Sequence, residues 1–507
     1  MKLNKLYIAA FLVLVGTGCK KDYLDVNTNP NSLPTATPAY VLANALNTSA
    51  ASMVSPNEVG MFWSGHWTQS NGYIISTTLF SYAFTNVDFN YWDATYDNLY
   101  DYQYVIDNAS KYSQEYLKGP AKVMKAYNYQ KLVDLYGNIP FSEALKGVSV
   151  LAPKFDDQKA VYQGLIVLLD DAIKDLKANT FASTYSGSDI VFKGSNSSWI
   201  KFANSMKLRI LMRQSRVSGT DAYITAEINK IVTEGSGFIT GAEVGANPGY
   251  VASAGQINPI YNTYGYTETG ARVGNNNWPR ITDFMVKELI KNADTFRLKR
   301  FAYAPGNEDL ANPGVSVKPE IAANYIGIPF GSSSGYLPGA SSAVGPVLLV
   351  RGQYNRPIII MTAAEVQFCL AEAKQRYGSS VNLTGTAQSY YEEGVKQNFR
   401  AIGASTANVT ALVTNGMQDC DFTASTNKLN TIAYQKWVAL GYFNGLEAWS
   451  EYRKNNYPVT PNSKNYVGTS RPLRLWYPGT ELGSNGANVN AQGTIDPLAT
   501  RIFWDVD

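Results

Sequence analysis

The sequence predicts a mainly α-helical fold of stacked helical hairpins, of the tetratricopeptide kind, with long irregular loops rich in aromatic residues and glycine. Three observations predict it. Apolar residues recur at spacings of three and four along most of the chain, the period of one helix face. Successive periodic stretches are joined by short links, some closed by glycine or proline, as in paired helices. Two stretches, 245–280 and 325–355, lose that period and fill with Gly, Tyr and small polar residues. The hairpin reading rests on these patterns, because no clean repeat of about 34 residues is visible.

At the N-terminus, Lys2 and Lys5 precede an uninterrupted apolar run from Leu6 to Val15. A run of about ten residues is too short to span a bilayer and reads as a secretory signal. Small residues then lead to Cys19, which predicts residues 1–18 as a lipoprotein signal peptide cut before an acylated Cys19. Gly16 stands where such signals usually carry Leu, so a plain secretory signal is the alternative. Acyl chains would hold the protein on a membrane surface outside the cytoplasm. Residues 19–38, rich in Asn, Thr and Pro, read as a tether, and 39–507 as a single body.

The helices follow in order. Trp92, Tyr96, Leu99, Tyr102 and Ile106 form one stripe, and Val123, Ala126, Tyr129, Val133 and Tyr136 a second, stopped by Gly137 and Pro140. Val161, Leu165, Leu168 and Ala172 mark a third, and Trp199, Phe202, Met206 and Ile210 a fourth. Thr362-Ala363-Ala364-Glu365 has the form of a capping box opening a helix toward Gly378. A last long aromatic helix is expected from Ile432 to Arg453, ending near Pro458.

Composition narrows the function. The formal charge of +3 falls to about +1 once Lys2 and Lys5 leave with the signal, and no basic stripe offers a footprint for nucleic acid. His66 is the single histidine, and apart from Cys19 the only cysteines are Cys369 and Cys420, so a His- or Cys-rich zinc site is not expected. One bridge between those two cysteines, and an all-carboxylate calcium site, stay open. No cofactor is expected. The outlier is tyrosine, at 35 residues beside 20 Phe and nine Trp, which points to surfaces that stack on ligands as well as to core.

Neutral oligosaccharides offer C–H faces to aromatic rings and hydroxyls to amides and charged groups. Two segments carry that mixture. Trp63 and Trp67 lie four residues apart, on one face if helical, with Tyr73 beyond them. Tyr261, Tyr264 and Tyr266, continuing to Arg272, Asn276 and Trp278, alternate aromatic, amide and glycine residues without a helical stripe, and are expected to be exposed for binding. Catalysis has no comparable signal. No Ser-x-Gly nucleophile elbow is expected, His-Glu-x-x-His and phosphate-loop motifs are absent, and Asp170-Asp171 and Glu392-Glu393 are adjacent acids that point apart.

Blocks along the chain carry a resemblance. They begin with Cys19-Lys20-Lys21-Asp22-Tyr23-Leu24-Asp25-Val26-Asn27 and Ala121-Lys122-Val123-Met124-Lys125-Ala126. Leu132-Val133-Asp134-Leu135-Tyr136-Gly137-Asn138-Ile139-Pro140, Pro153 to Leu176, and Trp199 to Arg209 follow. Met361 to Val366, Gly445-Leu446-Glu447-Ala448-Trp449 and Pro472 to Pro478 complete the series. In that order they resemble the SusD/RagB-like nutrient-binding outer-membrane lipoproteins, closest to the starch-binding-associated branch. The resemblance implies four tetratricopeptide-like units and a place on the outer face of the outer membrane. It also implies a SusC-like TonB-dependent transporter as partner, and Lys21-Asp22 looks like a surface-export signal. Asn204, Arg209, Glu365, Glu447 and Trp449 are expected to tie helices together rather than touch ligand. The expectation is therefore a non-enzymatic binder that delivers oligosaccharide to that transporter. Peptide cargo, a surface glycoside hydrolase and a purely structural lipoprotein are its rivals.

Overall fold

Helix follows helix along most of the chain because apolar stripes of helical period find one another as neighbours. The computed structural model describes residues 36–306 and 321–507. The signal peptide, Cys19 and nearly all of the tether lie outside the described residues. Helices α1 (Pro38–Ala51) and α2 (Val54–Trp63) lead into strand β1 (Trp67–Gln69) and a single turn, α3 (Thr77–Phe80). A helical run then comprises α4 (Asp93–Asn108), α5 (Lys118–Tyr136), α6 (Gln158–Ala178), α7 (Asn196–Arg213) and α8 (Asp221–Glu234). Loops carrying β2 (Val244–Ala246), α9 (Pro259–Tyr264), β3 (Pro279–Ile281), α10 (Asp283–Lys291), α11 (Thr295–Phe301) and β4 (Ile358–Met361) interrupt it. The chain returns to helices in α12 (Ala363–Tyr377), α13 (Ala387–Ala401), α14 (Val409–Val413), α15 (Lys428–Leu440), α16 (Gly445–Asn455) and α17 (Gly479–Asn490).

The four expected stripes become α4 to α7, and each of these helices packs on the next. Their inward positions, among them Leu99, Tyr102, Val133, Leu165 and Trp199, are fully buried. Each large apolar side chain so placed contributes about 1.5–3 kcal/mol. Asp157 starts α6 by accepting from the Lys159 and Ala160 amides at 3.0 Å. Gly137 ends α5 at φ +78°, a conformation that a Cβ would strain. One apolar core runs from Ala39 to Trp504. Among the described residues no helix is long and apolar enough to cross a membrane.

Two helix expectations change in detail. Thr362 does cap α12, accepting from the Glu365 amide at 3.1 Å, but the Glu365 carboxylate does not fold back to complete a box. It lies in the core, clamped on the Arg209 guanidinium at 2.5 and 2.9 Å. The single helix expected over Ile432–Arg453 is two helices, broken at 441–444 and restarted by Asn444, whose side chain accepts from the Glu447 amide. The break lets α16 cross α2 backbone to backbone. A Cβ on Gly445 would fall 2.0 Å from the Asn57 carbonyl oxygen, and one on Gly60 2.1 Å from that of Gly445.

A buried ionic seam joins α7, α12, α15 and α16. Arg209, Arg213, Lys436 and Lys454 meet Glu365, Glu372, Glu447 and Glu451, none of the eight more than a tenth exposed. Arg213 pairs with Glu447 and reaches Glu451 at 3.0 Å, Lys436 reaches Glu451 at 2.9 Å, and Lys454 reaches Glu372 at 2.7 Å. Burial opposes the charge on Arg209, but Glu365 and Glu447 outweigh it and hold the guanidinium protonated. Burial likewise opposes the Glu372 carboxylate, yet Lys454 and Arg376 pull it down to about 2. The expected helix-tying roles hold. Asn204 donates to Glu234 at 2.7 Å, and Trp449 lies 3.8 Å from the Arg453 guanidinium.

Cys369 and Cys420 are both buried free thiols, so the bridge left open by the sequence is not made. The Lys436 ammonium donates to the Cys369 sulfur at 3.1 Å, and the Gln435 amide to Cys420 at 3.3 Å.

Candidate functional site: a loop-built face and an arginine-lined cavity

Strand pairing assembles the site from distant segments. β1 pairs antiparallel with β3, Trp67 opposite Ile281, which places residues 66–74 against 274–282. Ser70 extends the pairing, its amide donating to the Trp278 carbonyl at 2.9 Å and its hydroxyl to that of Asn277 at 2.6 Å. Asn71 then fastens a third segment. Its backbone amide donates to the Tyr336 carbonyl, its side-chain oxygen accepts from the Tyr336 amide, and its side-chain nitrogen donates to the Ser332 carbonyl, each at 2.8 Å. The Gln69 amide holds the tip by donating to the Tyr73 and Ile74 carbonyls at 3.2 and 2.9 Å.

The result is a face with apolar groups turned outward. The Tyr73 ring is 38% exposed, its hydroxyl donating to the Gly274 carbonyl at 2.9 Å. Ile74 is 96% and Leu337 64% exposed, Tyr336 is half-buried, and Asn275 is open to solvent. An aromatic ring, aliphatic groups and amides on hydrogen-bonded loops can stack on a sugar and meet its hydroxyls.

Most of the residues expected to form the platform serve the core instead. Trp63 and Trp67 do not share a helix face, because α2 ends at Trp63 and Trp67 begins β1. Both are 3% exposed: Trp63 packs 4.9 Å from Trp449, and Trp67 lies 5.8 Å from Tyr264 and 5.7 Å from Tyr442. The expected exposure of Tyr261, Tyr264 and Tyr266 is also corrected, since each is 3% exposed. Tyr264 joins the main core, while Tyr261 and Tyr266 form a small cluster with Ile257 under Tyr354. Rings enclosed in this way present no face to the outer surface. Trp278 is half-buried, edge-on to Phe62 at 5.1 Å. Asn276 is half-buried, its amide donating to the Tyr264 carbonyl at 2.8 Å. Arg272 is exposed, and Tyr73 is the one candidate aromatic on the outer face.

His66 is fully buried and stacks on Trp437 at 4.4 Å. Its Nε2–H donates to the Trp437 carbonyl at 3.0 Å, and Nδ1 lies 2.8 Å from the Ser64 hydroxyl, which donates to the Gly60 carbonyl at 2.6 Å. Burial lowers its pKa to about 3, the Trp437 carbonyl opposing, so the ring is a neutral packing group at neutral pH.

A cavity of about 510 Å³ lies on another part of the same loop system. Its walls come from Glu243 and Gly245 at β2, Tyr261 on α9, the end of α11, the 347–359 loop, the end of α13, and Tyr442 and Phe443 in the break between α15 and α16. Arg300, Arg356 and Arg400 line it. A second chamber of about 380 Å³ shares Arg300 and Gly403 with it. Arg300 donates from Nε to the Ile402 carbonyl at 2.7 Å, and Arg356 from Nη1 to those of Val347 and Pro346 at 2.6 and 3.2 Å. Arg400 donates to Gln397. Glu243 accepts from the Ala363 amide at 2.5 Å. Burial raises its pKa to about 7, against the pull of that amide and of Arg400. Among the described residues, no three His, Cys, Asp or Glu side chains gather where they could hold a metal ion.

Of these two features, only Tyr73 on the face and Tyr261 in the cavity wall are named from the sequence. Tyr336 and Leu337 lie inside the flagged 325–355 stretch, where composition marked the loop and not the side chain. Arg300 and Arg400 sit near the ends of helices, where a cation is the ordinary complement of the helix dipole.

Residues 30–478 match the SusD-like family, described as starch-binding and associating with the outer membrane. No curated protein matches the chain in sequence. Among solved structures, a SusD homologue from Bacteroides fragilis superposes with a TM-score of 0.74 at 22% identity, over 93% of this chain and 99% of its own. A chitin-binding SusD homologue from Flavobacterium johnsoniae gives 0.72 at 23%, over 92% and 99%. A SusD/RagB family protein from Bacteroides thetaiotaomicron gives 0.73 at 19%, over 93% and 99%. At such identities the likeness to each is one of fold.

Proposed function

The chain belongs to the SusD-like family of starch-binding, outer-membrane-associated proteins, and from that premise we propose that it is a cell-surface lipoprotein that captures oligosaccharide for import. Cys19 carries the lipid anchor, residues 19–38 form the tether, and a SusC-like TonB-dependent transporter receives the cargo. Capture is reversible binding without bond cleavage. Tethering the binder near the transporter raises the effective concentration of cargo, so modest affinity suffices.

The observation that carries this reading is the three-loop face. Residues 69–74, 274–278 and 332–338 are locked together by hydrogen bonds, yet turn Tyr73, Ile74 and Leu337 to solvent. A sugar ring lying on Tyr73 would bury its C–H face there, and Asn275 would be in reach of its hydroxyls.

Calorimetric titration of the intact protein against starch- and chitin-derived oligosaccharides and short peptides tests the reading. Saturable binding of a sugar, with no shortening of it over hours, is the expected result. Binding confined to peptides would keep the import role and replace the cargo. Release of shorter sugars would sink the non-enzymatic assignment.

A further inference from the structure

The arginine-lined cavity differs from every other group of charges described above in being unbalanced. Arg300, Arg356 and Arg400 line one hollow, and among the described residues none of them forms an ion pair. Glu243, the only acid in the lining among the described residues, spends one carboxylate oxygen on the Ala363 amide. Backbone carbonyls fix two of the guanidinium planes, at Ile402 for Arg300 and at Val347 and Pro346 for Arg356. The terminal nitrogens of Arg300 have no acceptor among the described residues, and one lies against Gly403, 3.0 Å from where a Cβ would stand. The charge of Arg300 is felt at Arg356: burial first, then Arg300, lowers the Arg356 pKa. Like charges held at a half-buried wall with spare donors are a receptor for an anion, and a guanidinium fork matches an oxyanion best.

The rest of the lining says what carries that anion. Val347, Leu348, Ile359, Tyr442 and Phe443 give the cavity apolar lining beside the guanidiniums. A bare inorganic ion would leave that lining unused. With the adjoining chamber of about 380 Å³, the space of about 510 Å³ accepts more than one sugar-sized ring.

We propose that this cavity is a second binding site, for a sugar bearing an oxyanion, either the carboxylate of a uronic acid or a sulfate ester. Its oxyanion sits between Arg300 and Arg356, with Arg400 at the exposed mouth adding long-range attraction. The site is separate from the three-loop face and does not rest on capture of neutral oligosaccharide there.

Calorimetry of the intact chain with glucuronate, glucose 6-sulfate, glucose and inorganic phosphate tests it. At least one of the two anionic sugars should bind about tenfold or more tightly than glucose and than phosphate, and more weakly as salt rises. Arg300→Gln should lower that affinity by about tenfold or more. Arg400→Gln should lower it with thermal stability unchanged, because among the described residues the only side-chain hydrogen bond of Arg400 is to Gln397; this covers the case in which Arg300→Gln does not fold. Tyr73→Ala should leave it intact. Equal affinity for glucose and both anionic sugars, phosphate binding as tightly as they do, or full affinity in Arg400→Gln at low salt would each overturn the proposal. Failure of neutral sugars to bind would count against the face and leave the cavity's test standing.

Discussion

The seam between α7, α12, α15 and α16 and the cavity beside α13 hold the same kinds of side chain under opposite conditions. In the seam four cations face four carboxylates, all buried and packed on helices. In the cavity three arginines share one acid already engaged by a backbone amide, and the walls are loops and helix ends. A buried charge without a partner is costly, so deep burial and exact charge balance go together in the seam. Partial exposure relaxes that demand in the cavity and leaves hydrogen-bond donors for something from outside. Pairing, more than residue type, separates charges that hold the fold from charges that can receive a ligand.

The contrast can be broken most directly by truncation. Arg209→Ala strands Glu365 in the core and should cost about 3–5 kcal/mol in denaturant unfolding, whereas Arg400→Ala at the cavity mouth should change stability by about 0.5 kcal/mol or less. Similar losses for the two would show that the cavity charges are structural as well.

The same division should hold for aromatic residues. Tyr264→Ala removes a core ring packed on Trp67 and is expected to cost about 3 kcal/mol or more. Tyr73→Ala should leave stability nearly unchanged and weaken oligosaccharide binding by about 0.5–1.5 kcal/mol, measured by thermal unfolding and titration side by side. A destabilised Tyr73→Ala would move that ring from the face to the scaffold.

The subtlest difference is the sign of the pH dependence. Glu372 titrates near 2 in the fold, below its ordinary 4.5, so its contribution is complete above about 4.5 and lost as pH falls toward 2. Glu243 titrates near 7, so its contribution is complete below about 4.5 and lost as pH rises toward 7. Unfolding free energies measured from pH 2.5 to 7.5 should therefore show a shallower acid limb in Glu372→Gln and a flatter neutral limb in Glu243→Gln. Identical profiles for the two variants would remove the distinction.

The scaffold was legible because its signals are local. Leu99, Val133, Leu165 and Trp199 announce buried helix faces by spacing alone, and Thr362 and Gly137 mark helix ends by their own chemistry. The break at 441–444 was missed because aromatic periodicity continues across it, although Gly441 and Asn444 are the residues that make it. The candidate site was legible only as loops. Composition flagged 245–280 and 325–355, but Tyr261, Tyr264 and Tyr266 turned inward while Tyr336 and Leu337, unremarked in sequence, formed the face.

By itself, then, the amino-acid order determined where the main helices run, some of their ends, and which segments depart from helical structure, because these follow from interactions within a few turns of chain. Tertiary structure alone decided which rings are covered and which charges meet. Tyr264 is buried by Trp67, and Arg209 is neutralised by Glu365, across separations that local pattern does not encode. In an irregular loop a tyrosine has no periodic face to declare its direction. Its burial is set by whatever distant segment the fold brings against it, here through the β1–β3 pairing.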